Sequence, residues 1–318
     1  MRKLWIPLLL LMLMMFFIPL ILFKDSPRIA VNSEKKAAAY CPFEITVSGL
    51  DEPLPLEEYV KGVVAAEMPI SFHKEALKAQ AIAARTYALR VTEKGEKPIA
   101  KDVSAQVFYT EDERKKNWGK EFEKNEKKVS AAVKETEGAM VVYGEELISA
   151  MFFSTSNGQT ETAQNFGGTD IPYLQSVESV GEADVAPTYE EKTEISLDKW
   201  NEALGSNWSA EMFESLQLVR NSSGRVQKVV TDGFEKEGRD MRELLGLRST
   251  DFDIAYDMTN DLVLVKTVGY GHGVGMSQYG AEAFAQEGWP AKKIIEHYYT
   301  GTTIKNILIN DPECLKTP

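Results

Sequence analysis

Cysteine and histidine are scarce in this chain. Two cysteines, Cys41 and Cys314, and three histidines, His73, His272 and His297, are too few and too scattered to build a zinc site. No Gly-x-Ser-x-Gly elbow and no His-Glu-x-x-His occur, which leaves a serine hydrolase or a zinc peptidase without support. There is no Lys/Arg-rich run with interleaved aromatics, and 48 acidic residues against 36 basic ones give a net charge of −12. Neutralising phosphates takes clustered cations, so this balance argues against nucleic-acid binding. The two cysteines stand near opposite ends of the soluble portion. Outside the cytoplasm they can pair as a terminal clasp or remain two free thiols, and the sequence leaves both open.

What is present suits a folded protein: 318 residues with 43% hydrophobic content support one large domain or two smaller ones. Arg2 and Lys3 precede an uncharged run, Leu4 to Phe23, whose length matches a ~30 Å hydrocarbon core at ~1.5 Å rise per residue. The alternative is a cleaved signal peptide, but its apolar region is usually shorter and no small-x-small site follows directly. The spacing therefore predicts residues 1–23 as a cytoplasmic tip and transmembrane anchor and 24–41 as a juxtamembrane linker. Residues 42–318 are expected to form the extracytoplasmic catalytic region, with 190–265 as a candidate second subdomain.

Within 42–318 the pattern alternates without a regular βαβ period, which predicts an α+β fold of mixed helices and antiparallel strands with a cleft, preceded by one N-terminal transmembrane helix. A short strand is expected at Phe43–Val47 and a helix at Leu56–Met68, stopped by Pro69. An alanine-rich helix follows at His73–Val91, then one at Glu121–Glu137 closed by Gly138. Strands are expected at Ala139–Tyr143 and Leu147–Phe153, joined as a hairpin, and at Tyr173–Val180. Two helices, Met276–Gln286 and Pro290–Tyr299, and a strand, Thr303–Ile309, close the chain.

Four places hold candidate chemistry. Glu67 ends the Leu56–Met68 helix beside its apolar stripe, where a carboxyl is desolvated and its neutral form favoured. A negative charge there also opposes the helix dipole, so the position lacks a stability motive. Arg85 lies in the alanine-rich helix, where a cation is costly to bury unless paired. Its partner is a substrate carboxylate or a carboxylate of the protein; in contact with Glu67 it would stabilise the carboxylate and spoil an acid role, so it is expected to contact substrate or to reach Glu67 only at a distance. Ser154-Thr155-Ser156-Asn157-Gly158 offers the neutral donors and acceptors that bind sugars, or is a plain turn after a strand. Gly269 to Gly280 is glycine-rich, yet Met276 stands where a dinucleotide fingerprint needs glycine. Its glycines let the backbone approach a ligand or another strand, and His272 is either a cleft residue or a structural one.

Ala65-Ala66-Glu67-Met68-Pro69, Ala79 to Ala88, Phe153 to Gly158 and Gly271 to Ala281 follow one another in an order that resembles the stage II sporulation protein D family. Gly238-Arg239-Asp240-Met241-Arg242 and Leu245 to Thr250 fit the same pattern, and the resemblance covers about residues 42–310. It implies a lytic transglycosylase, acting in engulfment during sporulation, that cuts the bond between N-acetylmuramic acid and N-acetylglucosamine in peptide-free strands. Glu67 is then the catalytic residue. Arg85, Ser154, Thr155, Ser156, Asn157, His272, Gln278 and Tyr279 are the substrate-binding set. Partners implied are a peptidoglycan amidase and a membrane protein of the engulfment machinery, stage II sporulation proteins P and M, at the septal membrane. A non-catalytic glycan-binding activator of an amidase is the competing reading. Some relatives carry cysteines around the Ser154–Gly158 loop and bind zinc there. This chain has serines, so no metal and no other cofactor is expected.

Overall fold

The computed structural model describes residues 40–307 and Cys314. The helix Lys74–Val91 is the hub of the main core, packed against helices Leu56–Glu67, Phe122–Glu135, Gln278–Gln286 and Ala291–Tyr298 and the strand Ala139–Tyr143. Its alanines explain how so many neighbours fit: Ala76, Ala79, Ala81, Ala83, Ala84 and Ala88 are all buried, and a methyl side chain lets each partner approach closely. His73 caps this helix, its Nδ1 accepting from Glu75 N–H. A helix that the sequence pattern did not suggest, Glu111–Trp118, starts at a reciprocal Thr110–Glu113 capping box.

The strands form small sheets. Ala139–Tyr143 pairs antiparallel with Glu146–Leu147 and Thr303–Asn306. Leu262–Val268 sits between Phe252–Asp257 and Glu190–Ser196, and Val226–Thr231 between Gln217–Arg220 and Phe234–Glu237, all antiparallel. These two sheets and the helices Leu197–Leu204 and Gly238–Leu245 enclose a second core around Trp200, Trp208, Val229, Met241, Phe252 and Val263. One short pair is parallel: Phe152–Phe153 with Met276–Ser277.

The fold expectation needs correction in its membrane part. The described residues are α+β, but among them no helix is long and apolar enough to cross a membrane. The long hub helix carries Lys74, Glu75, Lys78, Arg85 and Arg90, charges that a hydrocarbon layer would not accept. The Leu4–Phe23 span lies outside the described residues. Smaller differences have local causes. The Leu147–Phe153 strand is broken, leaving Glu146–Leu147 and Phe152–Phe153 in different sheets. Residues 173–180 form no strand, because their backbone meets the 158–160 segment only at separate points, Thr160 N–H to Val177 O and Ser179 N–H to Gly158 O. The helix expected from Met276 begins at Gln278, since Ser277 caps it by accepting from Gly280 N–H and Met276 is drawn into strand pairing.

Cys41 and Cys314 form a disulfide, which joins the two ends of the described fold across 273 residues of sequence.

Candidate active site

Glu67 is the last residue of its helix; Met68 caps the end in extended conformation and Pro69 follows. The carboxyl is half-buried. Val107 N–H donates to Oε1 at 2.7 Å and Gln278 Nε2 to Oε2 at 3.4 Å. Burial raises its pKa, against those two donors, which favour the charged form. Tyr59 and Tyr87 are close enough to interact with each other electrostatically, and Tyr59 also senses the Glu67 charge. The Tyr59 hydroxyl donates to Gln106 Oε1 at 3.1 Å, tying the helix to the segment that presents Val107. The result is a single carboxyl, poised to hold a proton longer than a free glutamate and supplied with two donors for the charge it leaves behind.

Gln278 reaches Glu67 because two loops are zipped together. Thr155 and Tyr270 exchange both backbone hydrogen bonds at 2.9 and 2.7 Å, Glu161 N–H donates to Gly273 O, and Tyr279 N–H to Ser154 O. The glycines serve this backbone-to-backbone approach: a Cβ on Gly275 would sit 2.0 Å from Met151 O, and one on Gly269 2.6 Å from Thr155 O. Of the two roles the sequence left open for them, contact with another strand is the one seen. Tyr279 then turns its ring edge-on to Phe72, at 5.0 Å, in the turn that follows Glu67.

The expected substrate-binding residues separate into groups. Gln278 touches Glu67, Tyr279 packs on Phe72 just after it, and Ser154 is tied to Tyr279 through its carbonyl. Thr155 is buried in the zipper, with Ser154 Oγ 3.1 Å from its hydroxyl. Asn157 donates to Ser223 O and to Asp251 Oδ2. His272 is interior: Nδ1 accepts from Val274 N–H, which leaves Nε2–H to donate to Phe152 O. Burial, and then the Arg242 charge, lower its pKa to about 4, so it is neutral near pH 7. Arg85 is enclosed in the interior. It is 0% exposed, with Nε and Nη2 on the two carboxylate oxygens of Glu57 at 2.8 and 2.6 Å and Nη1 on Ala139 O at 3.1 Å. An alanine-lined interior is where a guanidinium must be paired, and Glu57 at the start of the neighbouring helix supplies the partner.

Ser156 is likewise consumed internally, by a residue that sequence reasoning passed over. Glu182 is buried and accepts from Ser156 N–H, Ser156 Oγ, Ser179 Oγ and Ser277 Oγ. Burial raises its pKa despite these donors. Ser179 stands three residues before it, but Ser156 and Ser277 come from 26 and 95 positions away, and nothing local announces that they converge on it. Glu161 is similar, saturated by Thr162 N–H, Asn165, Asn221 and Ser223. A cavity of about 140 Å³ lies against Glu161, Arg225, His272 and Phe166. Neither Glu67 nor Gln278 lines it, so it is not where a polymer would meet the acid. Among the described residues no group of three or more His, Cys, Asp or Glu is arranged to hold a metal ion.

Comparison with known proteins places this arrangement among relatives. A family model described as "Stage II sporulation protein" matches residues 49–143, the segment that contains Glu67, Arg85 and Val107. Stage II sporulation protein D of Bacillus amyloliquefaciens is 39% identical over 277 residues, covering 85% of this chain and 80% of the relative. That of Bacillus subtilis has the same identity and coverage. A protein named "Amidase enhancer", also from Bacillus subtilis, is 28% identical over 300 residues, 77% of this chain but 40% of the relative.

Proposed function

The chain belongs to the stage II sporulation protein D family, a family of sporulation proteins, and from that premise we propose that it is a lytic transglycosylase. It cuts the bond between N-acetylmuramic acid and N-acetylglucosamine in peptide-free glycan strands during engulfment. The observation that carries this reading is the environment of Glu67: a half-buried carboxyl whose pKa is raised by burial, held by Val107 N–H and Gln278.

A carboxyl that stays protonated can give its proton to the glycosidic oxygen as that bond breaks and positive charge develops on the muramic ring. The carboxylate so formed is stabilised by the Val107 and Gln278 donors. It then takes the proton from the muramic acid's 6-hydroxyl, whose oxygen closes on the ring carbon to give a 1,6-anhydro end. The acid ends protonated as it began. No water attacks, so one carboxyl suffices. Tyr279 and Ser154, beside Gln278, are the groups that would orient the sugars.

Action outside the cytoplasm is part of the proposal, and the Cys41–Cys314 disulfide supports it, since such bonds persist in oxidising compartments. An amidase and a membrane protein of the engulfment machinery, stage II sporulation proteins P and M, are the proposed partners. The test is to incubate the chain with peptide-free strands and look for anhydro-muramic ends by mass spectrometry. Their appearance with the natural chain and disappearance with Glu67→Gln supports the reading. A chain that makes none, even with an active amidase partner, overturns it. A second reading, a non-catalytic glycan-binding activator of an amidase, is favoured by the likeness to the amidase enhancer. It requires that Glu67→Gln leave amidase stimulation intact.

A further inference from the structure

Resting on the glycan-cleaving reading, we infer that Arg248 recognises the free carboxylate of an unsubstituted muramic acid and so selects peptide-free strands. A cation beside the acid is the natural reader of that group, and Arg85 cannot be it, being enclosed with Glu57. Arg220 is committed to Asp251 and Asp253.

Arg248 is placed differently. Its carbonyl accepts from Gly271 N–H at 2.9 Å, which fixes its backbone to the glycine loop. Its guanidinium carbon lies 4.5 Å from the centre of the Tyr270 ring, and that tyrosine is 47% exposed. The stack orients the guanidinium while leaving its in-plane N–H groups free. The nearest carboxylate, Glu191, is 3.9 Å from Nε, beyond hydrogen-bonding distance, and the Arg248 side chain is 22% exposed. Among the described residues the guanidinium donates no hydrogen bond. Its charge is felt at Tyr279, where it opposes the upward push of burial on the phenol, and Tyr279 directly follows the Gln278 that touches Glu67. A pre-oriented, partly open guanidinium with unused donors therefore stands on the glycine loop that leads to Gln278. A planar carboxylate is the partner its fork fits. A peptide amide at the same position would remove the charge and one acceptor oxygen.

The test compares two ligands on the full chain carrying Glu67→Gln, so that strands are bound and not consumed. One is peptide-free glycan, the other the same strands with the muramic carboxyl converted to its methyl ester. The acid form binds at least about tenfold tighter, the scale of a charge-assisted pair, and adding Arg248→Gln brings the ratio of dissociation constants close to one. Arg248→Lys keeps the charge without the planar fork and lowers the ratio severalfold, which serves as the deciding variant should the glutamine form not fold. A ratio near one before any change at Arg248, or one that survives its replacement, overturns the inference. Cleavage is scored separately on the natural chain. Loss of anhydro products with the carboxylate preference intact would sink the transglycosylase reading alone.

Discussion

Gln278 donates its side-chain amide to Glu67 across 211 positions of sequence, joining the start of one helix to the end of another. The acid is therefore tuned by a residue that only the folded chain brings to it. Burial pushes the Glu67 carboxyl up and Gln278 pulls it down. Cleavage is expected to fall as pH rises through the raised value, where the proton is lost. Gln278→Ala removes a donor to the charged form, so the alkaline limb of the pH–rate profile moves to higher pH. Glu67→Gln lowers the rate by about 10²–10⁴-fold, the usual worth of a general acid. A profile unmoved by Gln278→Ala would contradict the assignment.

Arg85 and Glu57 predict a different kind of result. Glu57→Ala leaves a fully buried cation without its carboxylate, an uncompensated charge that costs about 3 kcal/mol or more. Denaturant midpoints read the loss. Glycan affinity of the protein that remains folded is expected to hold, because the two groups are spent on each other. A variant of normal stability and weakened binding would return Arg85 to the substrate.

Glu182 carries a stability prediction with a definite sign. The folded protein holds this proton more tightly than the unfolded chain does, since burial raises the carboxyl above the usual value of 4.5. Its stabilising contribution is whole below that value and is lost as pH climbs through the raised one. Glu182→Gln keeps a neutral, hydrogen-bonding group and flattens this part of the pH dependence. Glu182→Ala takes an acceptor from the hydroxyls of Ser156, Ser179 and Ser277 and costs about 2–4 kcal/mol at low pH, a loss that shrinks as pH climbs through the raised value. Urea titrations at several pH values separate the two.

His272 acts in the opposite direction. Its pKa falls from 6.5 to about 4 in the folded protein. The stability it contributes is present above pH 6.5 and is lost as pH drops toward 4, by up to about 3 kcal/mol. His272→Gln is expected to be less stable at pH 7 yet to lose less on acidification than the parent. Equal losses in the two proteins would show that the ring is not held neutral.

Whatever short-range chemistry controls could be read along the chain. Helix limits were legible at Pro69, His73 and Gly138 because stops and caps act within a turn or two. The alanine-rich stretch announced a close-packed helix, and Glu67 announced a desolvated carboxyl, because its neighbours on the same face are apolar. The two-residue strand Met276–Ser277 left no pattern and Phe152–Phe153 read only as the end of a longer strand, for pairing at that length is set by the partner and not by alternation along the chain.

Which polar groups face inward was decided only by tertiary structure. Arg85 and Ser156 carry the same donors whether they meet a sugar or a carboxylate, and nothing along the chain says that Glu57 and Glu182 arrive beside them. Val107 contributes a backbone N–H, which every residue but proline possesses. Burial and pairing are sums over segments far apart in sequence, so they come into being when the chain closes on itself.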